Sequence, residues 1–131
     1  MAIVQINIMK PKLTFLLALT FLFLFSSVVF GDDYQDGVDA YKRKDYKTAY
    51  KLWLPLAEQG NAKAQYNLGV MYAKGRGFPQ DYILAHMWLN LSGANGYKRG
   101  IKLRNLAEKK MTASQIEKAR ELARNWKPTS K

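Results

Sequence analysis

The sequence predicts an all-α fold, an α/α superhelix built as a short solenoid of about six antiparallel helices, and three observations carry that prediction. Asp81-Tyr82, Ala85, Trp88-Leu89 and Gly96 find counterparts 36 residues earlier in Asp45-Tyr46, Ala49, Leu52-Trp53 and Gly60. Tyr66-Asn67-Leu68-Gly69-Val70 aligns with Tyr34-Gln35-Asp36-Gly37-Val38 at an offset of 32, and the difference between the offsets places a loop four residues longer after Gly75. Between the turns, apolar residues recur three and four apart, with no alternating run of β-branched residues. The repeating unit is therefore a pair of helices. Such a unit cannot bury its apolar face alone and stacks on its neighbours.

The first element falls before the repeats. Lys10 and Lys12 precede the apolar run Leu13–Phe25, and Ser26, Ser27 and Val29-Phe30-Gly31 follow it. This order reads as a signal peptide cleaved after Gly31, with export to a periplasmic or secreted location. Met9-Lys10-Pro11-Lys12 offers a second candidate start. The apolar stretch extended to Phe30 approaches the length that spans a bilayer, so an uncleaved N-terminal anchor in the inner membrane is the competing reading.

Helices are then expected at Tyr34–Arg43, Tyr46–Gln59, Ala62–Lys74, Gln80–Ala94, Tyr97–Lys110 and Ala113–Trp126. Asp45 and Asp81 stand where N-cap acceptors belong, and Gly60, Gly75 and Gly96 where left-handed residues end helices. Thr112-Ala113-Ser114-Gln115 matches a capping box. Pro55 lies inside the second helix, where a bend is expected, since an interior proline costs roughly 3 kcal/mol in a straight one. Gly69 lies inside the third, at about 1 kcal/mol against alanine, which implies close approach of a neighbouring helix. Gly37 matches it one repeat earlier.

Beyond the leader, residues 32–131 amount to 100 residues, one domain with a modest core. They carry 19 basic and 10 acidic groups, a net of +9. The charge is uneven: residues 32–81 have 8 basic and 7 acidic groups, and residues 82–131 have 11 and 3. A basic body of this kind suits nucleic acid, but export argues against that partner and towards headgroups, envelope polymers or acidic proteins. There is no cysteine, which excludes disulfides, thiolate chemistry, a thiolate metal site and a lipid-modified N-terminal cysteine.

Ala64-Gln65-Tyr66-Asn67-Leu68-Gly69-Val70-Met71-Tyr72, Gly75-Arg76-Gly77, Pro79-Gln80-Asp81-Tyr82, Ala85 and Trp88 together closely resemble the Sel-one-like repeat, a short relative of the tetratricopeptide repeat. Met111-Thr112, Gln115-Ile116, Ala119, Leu122-Ala123 and Trp126 resemble the C-terminal capping helix of small bacterial members. The resemblance implies a degenerate repeat over 34–60, a full repeat over 61–96 and capping helices over 97–127. In the last unit Asn105 replaces the helix glycine and no Gly-x-Gly loop follows. The chain also departs from cysteine-rich exported members. The resemblance implies a noncatalytic adaptor of the bacterial cell envelope, with a partner protein or peptide on the concave face formed by the first helix of each repeat.

A ladder marks that face. Tyr34, Val38 and Lys42, then Tyr66, Val70 and Lys74, then Lys102, Leu106 and Lys110 each stand four apart. Stacked helices would align them as polar or aromatic, apolar and basic stripes, suited to a peptide or helix with apolar anchors and acidic residues. The competing explanation is that the tyrosines pack between helices. With two and a half repeats, a monomer or weak dimer is expected.

Other features read as structural. Trp53, Trp88 and Trp126, on second helices, belong to the core. His86 has no histidine, cysteine or carboxylate cluster within a helical turn, which leaves it a surface or partly buried helix residue with no metal or nucleophile to serve. No constellation for catalysis, metal or cofactor binding is present in the sequence. Gly75-Arg76-Gly77 has neither a preceding strand nor a following lysine-serine pair, so it is a helix connector. Arg120, Arg124 and Lys131 lie opposite the apolar side of the last helix, as a solvated face does. The alternative function uses the same charges: electrostatic binding of anionic envelope polymers or a membrane surface through the basic C-terminal half.

Overall fold

The computed structural model describes residues 33–129, and among them are six helices and no strand. The predicted signal peptide and Lys131 lie outside this span. The helices are α1 (33–42), α2 (Tyr46–Glu58), α3 (Ala62–Lys74), α4 (Tyr82–Ala94), α5 (Lys98–Glu108) and α6 (Ala113–Asn125). α2 and α4 have 13 residues each and start and stop 36 residues apart. α1 and α3 stop at residues 42 and 74, 32 apart, so the four-residue insertion lies in the connector 75–81. α3 packs on α2, α4 on α3 and α5 on α4, whereas α6 packs chiefly on α4 and not on its predecessor α5.

The caps explain where the helices begin. Asp45 Oδ1 accepts from the Thr48 amide at 3.3 Å, Asn61 Oδ1 from Ala64 at 2.9 Å and Asp81 Oδ1 from Leu84 at 3.0 Å. Asp81 is extended, so α4 starts at Tyr82 and not at Gln80. The capping box is complete: the Gln115 amide donates to Thr112 Oγ1, and the Thr112 amide donates to Gln115 Oε1. Gly75 ends α3 in the left-handed region at φ 63°, which glycine enters without a Cβ penalty. Lys44 takes the same region at φ 64° after α1 with no such licence.

Four helices are shorter than expected: α2 stops one residue before Gln59, α4 loses Gln80 and Asp81, and α5 and α6 are trimmed as well. Tyr97 is the extended cap of α5, and at the other end Lys109 and Lys110 donate to Leu106 and Ala107 in a tightened turn, which leaves Lys110 beyond the helix. α6 stops at Asn125 and Trp126 is extended (φ −70°, ψ 138°); Pro128 disfavours the helical region for Lys127, so the helix does not resume beyond it. The tail then turns back, and the Thr129 amide donates to Glu58 O at the end of α2 (2.8 Å). α2 remains helical through Pro55.

The core is built from alanines around a few large groups. Ala40, Ala49, Ala57, Ala64 and Ala123 form one buried cluster with Trp53, Leu68, Met71, Met87, Trp88 and Leu91, and Ala85, Leu89 and Ala119 are buried too. Small residues let the helices approach. A Cβ on Gly37 would stand 2.3 Å from Trp53 Nε1, and one on Gly69 would stand 2.6 Å from Leu89 Cγ, so both glycines have the predicted packing role. The closest backbone approach is at Gly100 of α5, where a Cβ would meet Leu89 O at 2.7 Å and Gly93 N at 2.9 Å. Gln65 is fully buried and paired at both polar atoms: its Nε2 donates to Ala57 O (3.0 Å) and its Oε1 accepts from Asn95 Nδ2 (2.9 Å). One side chain thus ties the ends of α2 and α4, as buried polar groups must be paired.

Candidate functional site

Two first-helices supply one groove. Tyr34, Val38 and Lys42 of α1 face Tyr66, Asn67 and Val70 of α3 across a groove of about 410 Å³, with Tyr41 and Trp53 completing its lining. Trp53 is 2% exposed and is fixed twice, by packing against Tyr34 (6.2 Å between centroids) and by an Nε1–H bond to Tyr34 O (3.1 Å). Asn67 Nδ2 donates to Tyr34 Oη at 3.2 Å, bridging the two helices. Tyr34 and Tyr66 are half-buried: each packs on a neighbour and still presents surface.

Tyr41 was not legible as part of the ladder, yet it organises the groove's end. It packs edge-on against Tyr46 (5.2 Å between centroids) and at a tilt against Trp53 (5.7 Å). The Arg76 guanidinium lies over both Tyr41 (5.2 Å) and Tyr46 (5.7 Å) and donates to Tyr41 Oη. The connector Gly75-Arg76-Gly77 therefore clasps the preceding repeat, a cation–π contact of the kind that holds exposed loops by about 0.5–1 kcal/mol.

The third stripe is displaced. Lys102 lines a second groove with Tyr66, Arg99, Leu103 and Leu106. Lys110 lines a third with Ala73, Tyr82, Leu103, Leu106 and Ala107. Leu106 is 49% exposed between them. Lys74 is exposed at the last position of α3 and lines none of these three grooves. The basic row at the helix ends is thus not continuous, and Arg99, which the ladder omitted, takes a place beside Lys102. Arg99 Nη1 donates to Tyr97 Oη at 3.4 Å, a contact that raises the guanidinium's affinity for its proton.

His86 corrects the sequence reading. It is 0% exposed, and its Nε2 lies 2.7 Å from Glu108 Oε1, a carboxylate delivered from α5 and so invisible to a search within one helical turn. A carboxylate accepts, so Nε2 carries the proton and donates. His86 Nδ1 has no partner among the described residues. Arg120 of α6 reaches the same Glu108 oxygen at 3.3 Å, and three helices meet at this carboxylate. The hydrogen bond from His86, before the charge of Arg120, holds the Glu108 carboxyl below its ordinary value of 4.5. A lowered folded-state value stabilises the fold above the ordinary range, and that contribution is lost as pH falls through the lowered value. Glu108→Ala should therefore cost about 2 kcal/mol at neutral pH by orphaning a buried donor, and the gap from the parent should shrink on the acid limb of a urea-midpoint series. A gap independent of pH would remove the carboxylate from that role.

The remaining groups are structural. Trp88 is buried as expected; Trp126 lies just past α6, not on it, and packs edge-on against Trp88 at 6.3 Å. Arg120 and Arg124 are exposed and ion-paired, Arg124 with Glu117 at 2.9 Å, while Lys118 pairs with Glu121. No group of three or more metal-binding side chains occurs among the described residues, and no helix there is long and apolar enough to cross a membrane.

Comparison with known proteins agrees with this architecture. Residues 31–61 and 62–97 match the Sel1 repeat. A search of curated proteins finds no match. Among solved structures, the chain is similar to a protective antigen present in uropathogenic Escherichia coli strains and displaying an SLR fold, with a TM-score of 0.65 and 30% identity over 72% of this chain. The match covers 21% of that antigen, so this chain spans about a fifth of its length. With two matched repeats over half its length and the corresponding fold, the chain belongs to the Sel1 repeat family, whose repeats serve in general as protein–protein interaction modules.

Proposed function

We propose that the chain is a noncatalytic adaptor of a bacterial cell envelope, exported by its N-terminal leader, that holds a segment of a partner protein on the face formed by α1, α3 and α5. One observation carries the reading: five residues of the ladder, Tyr34, Val38, Lys42, Tyr66 and Val70, line a single groove although they come from two helices. Tyrosines half-committed to packing are rigid, low-entropy contact area, which favours binding by preorganisation. Polyanion binding through α6 is less favoured, because Arg120 and Arg124 are already matched to Glu108 and Glu117. The basic half leaves an acidic partner as the best electrostatic match.

The test is capture from envelope extract at low and high salt by the parent chain, Tyr66→Ala and Val70→Ala. We expect a discrete protein retained at high salt and about tenfold weaker retention by either variant at unchanged helicity, as for truncation of a contact residue. Capture unaffected by both substitutions would remove the groove from the interface. Retention of salt-labile polymer or lipid alone would overturn the adaptor reading.

A further inference from the structure

One side chain separates the aromatic groove from its neighbour. Tyr66 lines both, so the two grooves adjoin at its side chain. The two halves differ in chemistry. Trp53, Tyr34 and Tyr41 make the first an aromatic recess, whereas Arg99 and Lys102 stand in the second. No carboxylate lines either groove among the described residues, and neither Arg99 nor Lys102 forms an ion pair there. The acids that could have matched them are committed elsewhere. Glu108, the one acid of α5, is engaged by His86 and Arg120, and the acids of α6 serve that helix's own cations. Arg99 is held in place through Tyr97, whose hydroxyl accepts from it and whose ring packs edge-on against Tyr66 at 5.1 Å.

Resting on the adaptor reading, we infer that the occupant is an extended polypeptide segment with one aromatic or large aliphatic side chain seated between α1 and α3 and a carboxylate about three residues away facing Arg99 and Lys102. The spacing follows from geometry: helices lie about 10 Å apart in a packed layer, and an extended chain advances about 3.3 Å per residue. Each half excludes a different competitor. A purely anionic polymer has nothing to seat in the aromatic recess, and an apolar segment without the acid leaves two cations unmatched.

The test uses the full chain and fluorescently labelled Gly/Ser-rich peptides, read by anisotropy. One set carries Phe and Glu three residues apart in either order; the others carry Phe with Gln, or Ala with Glu. We expect the better Phe/Glu peptide to bind about tenfold tighter than either single replacement, the size of one good contact. In the double variant Arg99→Gln/Lys102→Gln, both exposed positions, the preference for Glu over Gln should fall to within about twofold while the preference for Phe persists. Equal binding of the Glu and Gln peptides overturns the inference and leaves the adaptor reading standing. So does a Glu preference that survives the double variant. Equal binding of the Ala/Glu and Phe/Glu peptides overturns it in favour of a polyanion surface. If no peptide binds, the inference falls, and the adaptor reading rests on the capture experiment alone.

Discussion

Replacing Gly100 by alanine should destabilise the protein by about 2–3 kcal/mol, the cost of overpacking where neither neighbour can give way. The sign is the informative part. An alanine at an ordinary helix position gains about 1 kcal/mol over glycine through backbone entropy. At Gly100 the new Cβ would lie 2.7 Å from Leu89 O and 2.9 Å from Gly93 N, both backbone atoms of α4. Relief requires α4 and α5 to move apart, and with them the contact of His86 with Glu108. Gly69→Ala meets the Leu89 side chain at 2.6 Å and should cost less, because a rotamer can shift where a backbone cannot. Urea midpoints for both variants check the order. A Gly100→Ala protein more stable than the parent would mean the helices do not approach this closely.

The second large effect is expected at Trp53. Truncation to alanine should cost about 3–5 kcal/mol, the range for a buried aromatic, out of a total stability that for small domains is typically about 5–15 kcal/mol. Trp53 packs on Tyr34 and Tyr41, fills the space that Gly37 leaves, and donates to Tyr34 O. Its loss removes the support of the groove together with part of the core. Trp53→Phe keeps much of the volume and loses the hydrogen bond, so about 1–2 kcal/mol is expected with helicity preserved. Equal loss in the two variants would assign the whole effect to the hydrogen bond.

The parts of this fold legible in the sequence are those written in local chemistry. Asp45, Asp81 and Thr112 announce helix starts through side chains that bond within three residues, and the offsets of 36 and 32 fix the α2/α4 and α1/α3 pairs. Gly69 was readable because a glycine inside a helix demands a neighbour. Gly100 was not, since it stands in the first turn of α5, where glycine passes for loop chemistry. The His86–Glu108 pair joins residues 22 apart on different helices, and no spacing rule within one helix reaches it. Of the candidate site, the α1 and α3 stripes converge because both helices keep the same register. The third stripe drifts because α5 ends at Glu108, which places Lys110 in a turn, while Arg99 stands beside Lys102 by the ordinary i, i+3 spacing of the helix's first turns.

The bond from the Thr129 amide to Glu58 O alters how the chain holds together as a whole. In an array whose units touch only their neighbours, free energy passes along a line, and the terminal units melt ahead of the middle. Here the segment after α6 is fastened to the end of α2, beside the repeat that forms half of the groove. The bond adds a cross-link to that line: loosening of the tail removes a contact from the end of α2, which couples the C-terminal tail to the repeat beside the binding face by about 1 kcal/mol.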